Sequence, residues 1–219
     1  MCQEIIHVYL MPGMAASPKI FEHIKLPENQ FKIHYLEWII PVDKESISEY
    51  ALRLSKGIKH DNIVLLGVSF GGVLVQEINK HIKVRKLIIV SSVKSMHELP
   101  KRMLITKLTK AYKLVPTQLA SNIDAFAKYA FGSNVNKRLE LYKKYLSVRG
   151  TKYLKWSIHN VLHWSQEKSL TDIIHIHGTE DHVFPYKNIK NPIKIEEGTH
   201  VMILTKAKKI SQIIHESLT

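Results

Sequence analysis

The sequence predicts an α/β fold: a reduced, mostly parallel sheet of about six strands flanked by helices, with a helical insertion. Three observations carry that reading. Short apolar runs, Ile63-Val64-Leu65-Leu66 the clearest, are the length of strands rather than of helices. They alternate along the chain with segments of helical spacing, the rhythm of a parallel sheet. Their apolar positions are consecutive rather than alternate, as expected of strands covered on both faces.

Taken in order, Ile5 to Leu10 reads as a first strand that runs into a small-residue turn, Met11-Pro12-Gly13-Met14-Ala15-Ala16. Phe31 to Trp38 reads as a second strand, stopped by Pro41. Ser46-Ile47-Ser48-Glu49 has the form of a capping box, and Ile47, Tyr50, Ala51, Leu54 and Ile58 recur behind it at helical spacing. The strand at 63–66 leads directly into Gly67-Val68-Ser69-Phe70-Gly71-Gly72 and then a helix from Val73. Further strands are expected at Leu87–Val90, Ile173–His177 and Pro192–Ile195, and a closing helix presents Ala207, Ile210, Ile214 and Leu218 on one side.

From Ser92 to Leu170 the strand pattern stops. Leu119, Ile123, Phe126 and Ala130, then Leu139, Tyr142 and Leu146, then Leu154, Ile158 and Leu162 recur at helical spacing. The domain reading is therefore a core of residues 1–93 and 171–219, with a helical cap at 94–170 over the carboxyl ends of the strands. The formal net charge is +13, and residues 94–170 hold 15 Lys/Arg against 4 Asp/Glu. The basic character belongs to the insertion and favours anionic partners, unless it is only a solvated face.

Composition excludes several classes. The 219 residues suffice for one cored domain, and no run is long enough to span a bilayer. The lone Cys2 excludes an intrachain disulfide framework. No basic, apolar leader precedes the first strand, so a cytoplasmic location is expected. Neither a Gly-x-Gly-x-x-Gly fingerprint nor a phosphate-binding Gly-Lys-Ser/Thr loop is present. No nucleic-acid-reading module is recognisable, and nucleic acid is not an expected partner.

The chemistry is concentrated at three strand ends. A Gly-x-Ser-x-Gly turn between strand and helix presents Ser69 above the sheet, with Phe70 N–H at the helix start. A serine hydroxyl attacks an acyl carbon usefully when an imidazole takes its proton and an acid fixes the imidazole's tautomer. Asp181 and His200 supply those groups from loops that follow later strands, in the order Ser, Asp, His. Asp172 precedes its strand and belongs at the opposite end of the sheet, and His182 is poorly placed to reach back to Ser69. His7, His175 and His177 alternate within strands and read as packing residues.

With those residues in place the chain resembles the α/β-hydrolase superfamily over nearly its whole length, as a serine hydrolase with a helical cap. The resemblance rests on Gly67-Val68-Ser69-Phe70-Gly71-Gly72, Gly178-Thr179-Glu180-Asp181-His182-Val183-Phe184-Pro185 and Gly198-Thr199-His200. It implies that Met14 N–H, after Gly13, joins Phe70 N–H as an oxyanion donor. Pro12 stands where family members have histidine, and the antiparallel hairpin that usually precedes the first strand is missing.

The expected activity is carboxylesterase or thioesterase chemistry through an acyl-enzyme, with no cofactor and no metal. The alternatives are a carbon–carbon bond hydrolase with the same triad and a non-catalytic ligand-binding or signalling protein on this fold. The expected partner is a small acyl substrate, anionic or carrier-bound; oligomeric state is not legible. Trp156 and Trp164 suggest an aromatic packing or substrate-facing surface, and they are the expected substrate contacts of the cap. His159 and His163, four apart, lack an evident third ligand for a metal. Lys94 and His97 follow a strand end where they could touch a substrate carboxylate, but a solvated loop is the better account of them.

Overall fold

The computed structural model describes residues 4–110, 144–146 and 150–219. Six strands form one all-parallel sheet: β1 (Ile6–Met11), β2 (Phe31–Tyr35), β3 (Ile63–Val68), β4 (Lys86–Val90), β5 (Ile173–Gly178) and β6 (Ile193–Ile195), in the order β2-β1-β3-β4-β5-β6. The order reverses between β1 and β3. That reversal opens a crevice beyond their carboxyl ends, where an open α/β sheet presents a ligand site. Met11 pairs with Gly67 in this register, so the turn after β1 and the Gly-x-Ser-x-Gly turn after β3 lie side by side.

All six residues of β3 are buried, which accounts for its unbroken apolar sequence. Leu65 and Leu66 are fully buried, and truncation of either to alanine would cost about 2–5 kcal/mol. β2 ends at Tyr35, three residues before the strand expected from sequence. Its pairing partner β1 is itself ending there: the last register pair is Leu10 with Tyr35, and Leu36 N–H closes onto Leu10 O.

Helix α1 (Ile47–Ser55) starts at the expected capping box, with Ser46 Oγ accepting from Glu49 N–H and Glu49 Oε2 accepting from Ser46 N–H. Such a cap is worth about 1 kcal/mol. Tyr50, Ala51 and Leu54 form its buried side. Helix α2 (Phe70–Ile78) is buried along its whole length against the sheet.

Within the insertion, α3 (Lys101–Leu108) and α4 (Thr151–His163) are described. Helix α4 includes the expected Leu154, Ile158 and Leu162, all buried. The periodicity did not single out α3, whose residues include no buried apolar stripe. The expected helix at 119–130 lies outside the described residues, as do Leu139 and Tyr142 of the run expected at 139–146 and Cys2; Leu146, the last of that run, is described and forms an isolated bridge with Ala16. The short α5 (Met202–Thr205) and the closing α6 (Ala207–Leu218) complete the core, α6 burying Ala207, Ile210, Ile214 and Leu218 as expected. Among the described residues no helix is long and apolar enough to cross a membrane.

Candidate active site

Ser69 joins β3 to α2 at φ 53° and ψ −122°, a backbone region costly for a residue with a Cβ. Its surroundings fix that geometry. Ser69 N–H donates to Val90 O, while Ser69 O accepts from Gly72 N–H and from Ser92 Oγ at 2.7 Å. The flanking glycines permit the tight passage: a Cβ on Gly67 would stand 2.3 Å from Gly71 O, and one on Gly71 2.3 Å from Pro12 O. The second approach brings the turn after β1 directly against the Ser69 turn.

Ser69 Oγ lies 2.9 Å from His200 Nε2, and His200 Nδ1 lies 2.9 Å from Asp181 Oδ2. The loops that carry the acid and the imidazole are tied to one another, with Thr179 N–H donating to Ile195 O and Glu180 N–H to Gly198 O. Asp181 is buried, and its other oxygen accepts from Val183 N–H at 2.8 Å and Phe184 N–H at 2.9 Å. Burial pushes the Asp181 carboxyl up, but His200, His177 and the Phe184 N–H outweigh it and leave the carboxyl below its ordinary value. Asp181 therefore stays ionised beside the imidazole. With its Nδ1–H held by that carboxylate, His200 offers the Nε2 lone pair to the Ser69 hydroxyl.

His177, read from sequence as a packing residue, reaches the same carboxylate. Its Nε2 lies 2.8 Å from Phe184 O and 3.4 Å from Asp181 Oδ2. Burial lowers its proton affinity more than the carboxylate raises it, so the ring is neutral. Asp181 follows it by four residues, just beyond the end of β5, and that short spacing was the available signal.

Met14 and Phe70 both line the cavity that contains Ser69 and His200. Phe70 N–H is the first of α2 and has no acceptor within the helix. Gly13 is close enough that a Cβ there would touch Ser69 Cβ at 3.4 Å. Two residues missed from sequence hold this turn: Trp38 Nε1 donates to Gly13 O at 2.9 Å, and Tyr153 Oη accepts from Ala15 N–H at 3.2 Å. A tryptophan beyond a strand end, whose N–H needs an acceptor, was the only trace of the first.

The cavity is about 340 Å³ and predominantly apolar. From the insertion it is lined by Arg102, Met103 and Thr106 of α3, by Tyr145 and Leu146, and by Ile158, Val161 and Leu162 of α4. Trp156 and Trp164 are not among the lining residues, which corrects the expectation that they face a substrate. Trp156 packs on Tyr50, its ring 4.3 Å away, and donates to Glu45 O. Trp164 is buried and donates to Glu77 Oε1 at 2.7 Å, the same buried carboxylate oxygen that accepts from Lys80 Nζ. Lys94 and His97 do not line the cavity either, and Lys94 Nζ donates to Lys190 O.

No known family model matches the chain, and no curated protein does. Solved structures do. A carboxylesterase structure from the thaumarchaeon Nitrososphaera gargenis is 14% identical with a TM-score of 0.72, over 98% of this chain and 90% of that one. An esterase from Exiguobacterium antarcticum is 17% identical with a TM-score of 0.67, over 100% and 93%. The type II thioesterase YbtT of the yersiniabactin biosynthetic pathway is 15% identical with a TM-score of 0.64, over 98% and 93%. The chain has the α/β-hydrolase fold, as the resemblance implied.

Proposed function

We propose that this protein is a serine hydrolase that cleaves a carboxylic ester or thioester through an acyl-enzyme. The observation that carries the proposal is the continuous contact from Ser69 Oγ to His200 to the buried Asp181, beginning at a strained strand-to-helix turn. In this reading Ser69 Oγ attacks the acyl carbonyl as His200 Nε2 takes its proton. The carbonyl oxygen becomes an oxyanion held by Met14 N–H and Phe70 N–H. His200 then gives the proton to the departing alcohol or thiol, and a water activated by the same imidazole releases the acid.

Residues 94–170 act as the cap in this scheme. Their described residues contribute mostly apolar side chains to the cavity, which suits an uncharged acyl chain. Among the described residues Arg102 is the Lys/Arg side chain of the lining, and its guanidinium already donates to His182 O and Val183 O. An acyl chain in the cavity, with any anionic or carrier-borne group outside it, fits these residues better than a charged acyl group inside. The esterase and thioesterase structures that share the fold support the reaction class.

The deciding experiment is labelling with a fluorophosphonate, followed by turnover of p-nitrophenyl and N-acetylcysteamine acyl esters of graded length. Labelling and turnover in the native chain, both absent from a folded Ser69→Ala variant, are expected. A folded protein that neither labels nor turns over any member of the series sinks the proposal.

A further inference from the structure

At the opposite end of the sheet from Ser69, three histidines from three separate segments meet. His7 is the second residue of β1, His34 lies on β2, and His60 is in the loop between α1 and β3. His7 pairs in register with Ile63, six residues of chain before Ser69, a strand distance of about 20 Å. Nothing in the proposed hydrolysis uses these residues, and their convergence requires its own account.

The three rings are close. His7 Nδ1 is 2.9 Å from His34 Nε2, the His7 and His60 rings stack at 3.8 Å, and one ligand nitrogen from each residue lies within 4.8 Å of the others. From this arrangement we propose that His7, His34 and His60 form a binding site for a late first-row divalent cation such as Zn2+.

Imidazole nitrogens are the protein donors that such ions favour. Two nitrogens bound at about 2.0–2.1 Å to one tetrahedral ion stand about 3.3 Å apart, so the His7–His34 pair needs to open by only a few tenths of an ångström. In the cation's absence those two nitrogens share a single proton, one donating and the other accepting. When the ion binds, the donating ring carries its proton on its other nitrogen instead, so that both facing nitrogens present lone pairs and the ion takes the bridging place. Tyr9 reaches His60 Nδ1 with its hydroxyl at 2.6 Å and stacks on His34 at 4.6 Å. It steadies two of the three ligands, as outer partners do around bound metals. His7 and His34 are half-buried and His60 is exposed, so the cluster has a solvent side through which an ion enters and a water completes the coordination.

A bound ion would fasten the edge strand β2 and the α1–β3 loop to β1. The test uses the untagged chain, prepared with chelator and then freed of it. Zn2+ is titrated calorimetrically, Co2+ is followed by its visible d–d absorption, and the melting temperature is recorded with and without Zn2+. One equivalent bound, tetrahedral Co2+ absorption and a rise in melting temperature are expected. His34→Ala and His60→Gln should each weaken binding by about tenfold or more, whereas His159→Ala should leave it unchanged. His60→Gln alters an exposed loop side chain, so its fold, checked by circular dichroism, separates lost ligation from lost structure. No binding to the native chain, undiminished binding in both ligand variants, or loss caused by His159→Ala would each overturn the proposal.

Discussion

The indole N–H of Trp38 donates to Gly13 O at 2.9 Å, and the same indole stacks on the Phe70 ring at 5.3 Å with the planes 5° apart. One side chain thus touches both segments that carry the proposed oxyanion donors. Loss of one such donor costs about 10²–10³-fold in kcat, and a loosened donor costs less. Trp38→Phe keeps the aromatic plane and removes the hydrogen bond. It should lower kcat by about tenfold with a smaller change in KM, as expected of a positioning residue. Steady-state kinetics on the best p-nitrophenyl ester checks this, and a change confined to KM would assign Trp38 to binding instead.

Asp181→Asn separates orientation from packing. The substituted side chain can still accept from Val183 N–H and Phe184 N–H, so the acid loop keeps its anchor. Its amide then faces His200 Nδ1 with a donor, which selects the tautomer whose proton sits on Nε2 and removes the lone pair from Ser69. A fall in kcat of about 10⁴-fold is expected, with fluorophosphonate labelling slowed in parallel. Retention of native labelling rates would show that His200 does not depend on Asp181.

The sequence exposed those parts of the site that are local. The turn at Ser69 needs small residues at Gly67 and Gly71 because backbone passes within van der Waals contact of both, and that need is written into adjacent positions. The acid and imidazole loops were legible through their places after strands. Trp38 and Tyr153 were not, because each acts through one hydrogen bond to a backbone atom distant in sequence. Trp156 and Trp164 misled for a related reason. Both tryptophans met polar partners inside the protein, Glu45 O and Glu77 Oε1, while the smaller Ile158, Val161 and Leu162 were left to the cavity. A helix with apolar residues on several sides does not reveal from sequence which side meets a core and which meets a substrate.

His175 provides a test through stability. Burial first, then His177 and Lys94, push its pKa down to about 3 from an ordinary 6.5, and its Nε2 lies 3.1 Å from Ser92 O. The unfolded chain binds a proton at this residue below pH 6.5, whereas the folded chain does so only near pH 3. Its contribution to stability is therefore fully present above pH 6.5 and is lost as pH falls towards 3. The slope is about 1.4 kcal/mol per pH unit, or about 2 kcal/mol by pH 5. Buried His177, shifted in the same direction, adds to the loss. Urea unfolding at pH 7.5 and pH 5 should show a smaller acid-induced loss in His175→Gln than in the native chain. Equal losses would place the acid sensitivity elsewhere.

The cavity gives a prediction about selectivity. Val161 lies on α4 and lines the space with Leu146, Ile158 and Leu162, while Ser69 and His200 stand at its polar side. Val161→Phe adds aromatic volume to that wall without touching the hydrogen bonds from Ser69 to Asp181. The volume available to an acyl chain falls, and each displaced methylene is worth about 1–3 kcal/mol of transition-state binding. The longest accepted ester should lose about tenfold or more in kcat/KM, while the shortest keeps its native value. A profile of kcat/KM against chain length for the two proteins measures the shift directly. A uniform loss at every length would mean that the substitution disturbs Ser69 rather than the chain-binding wall, and an unchanged profile would place the acyl chain outside this cavity.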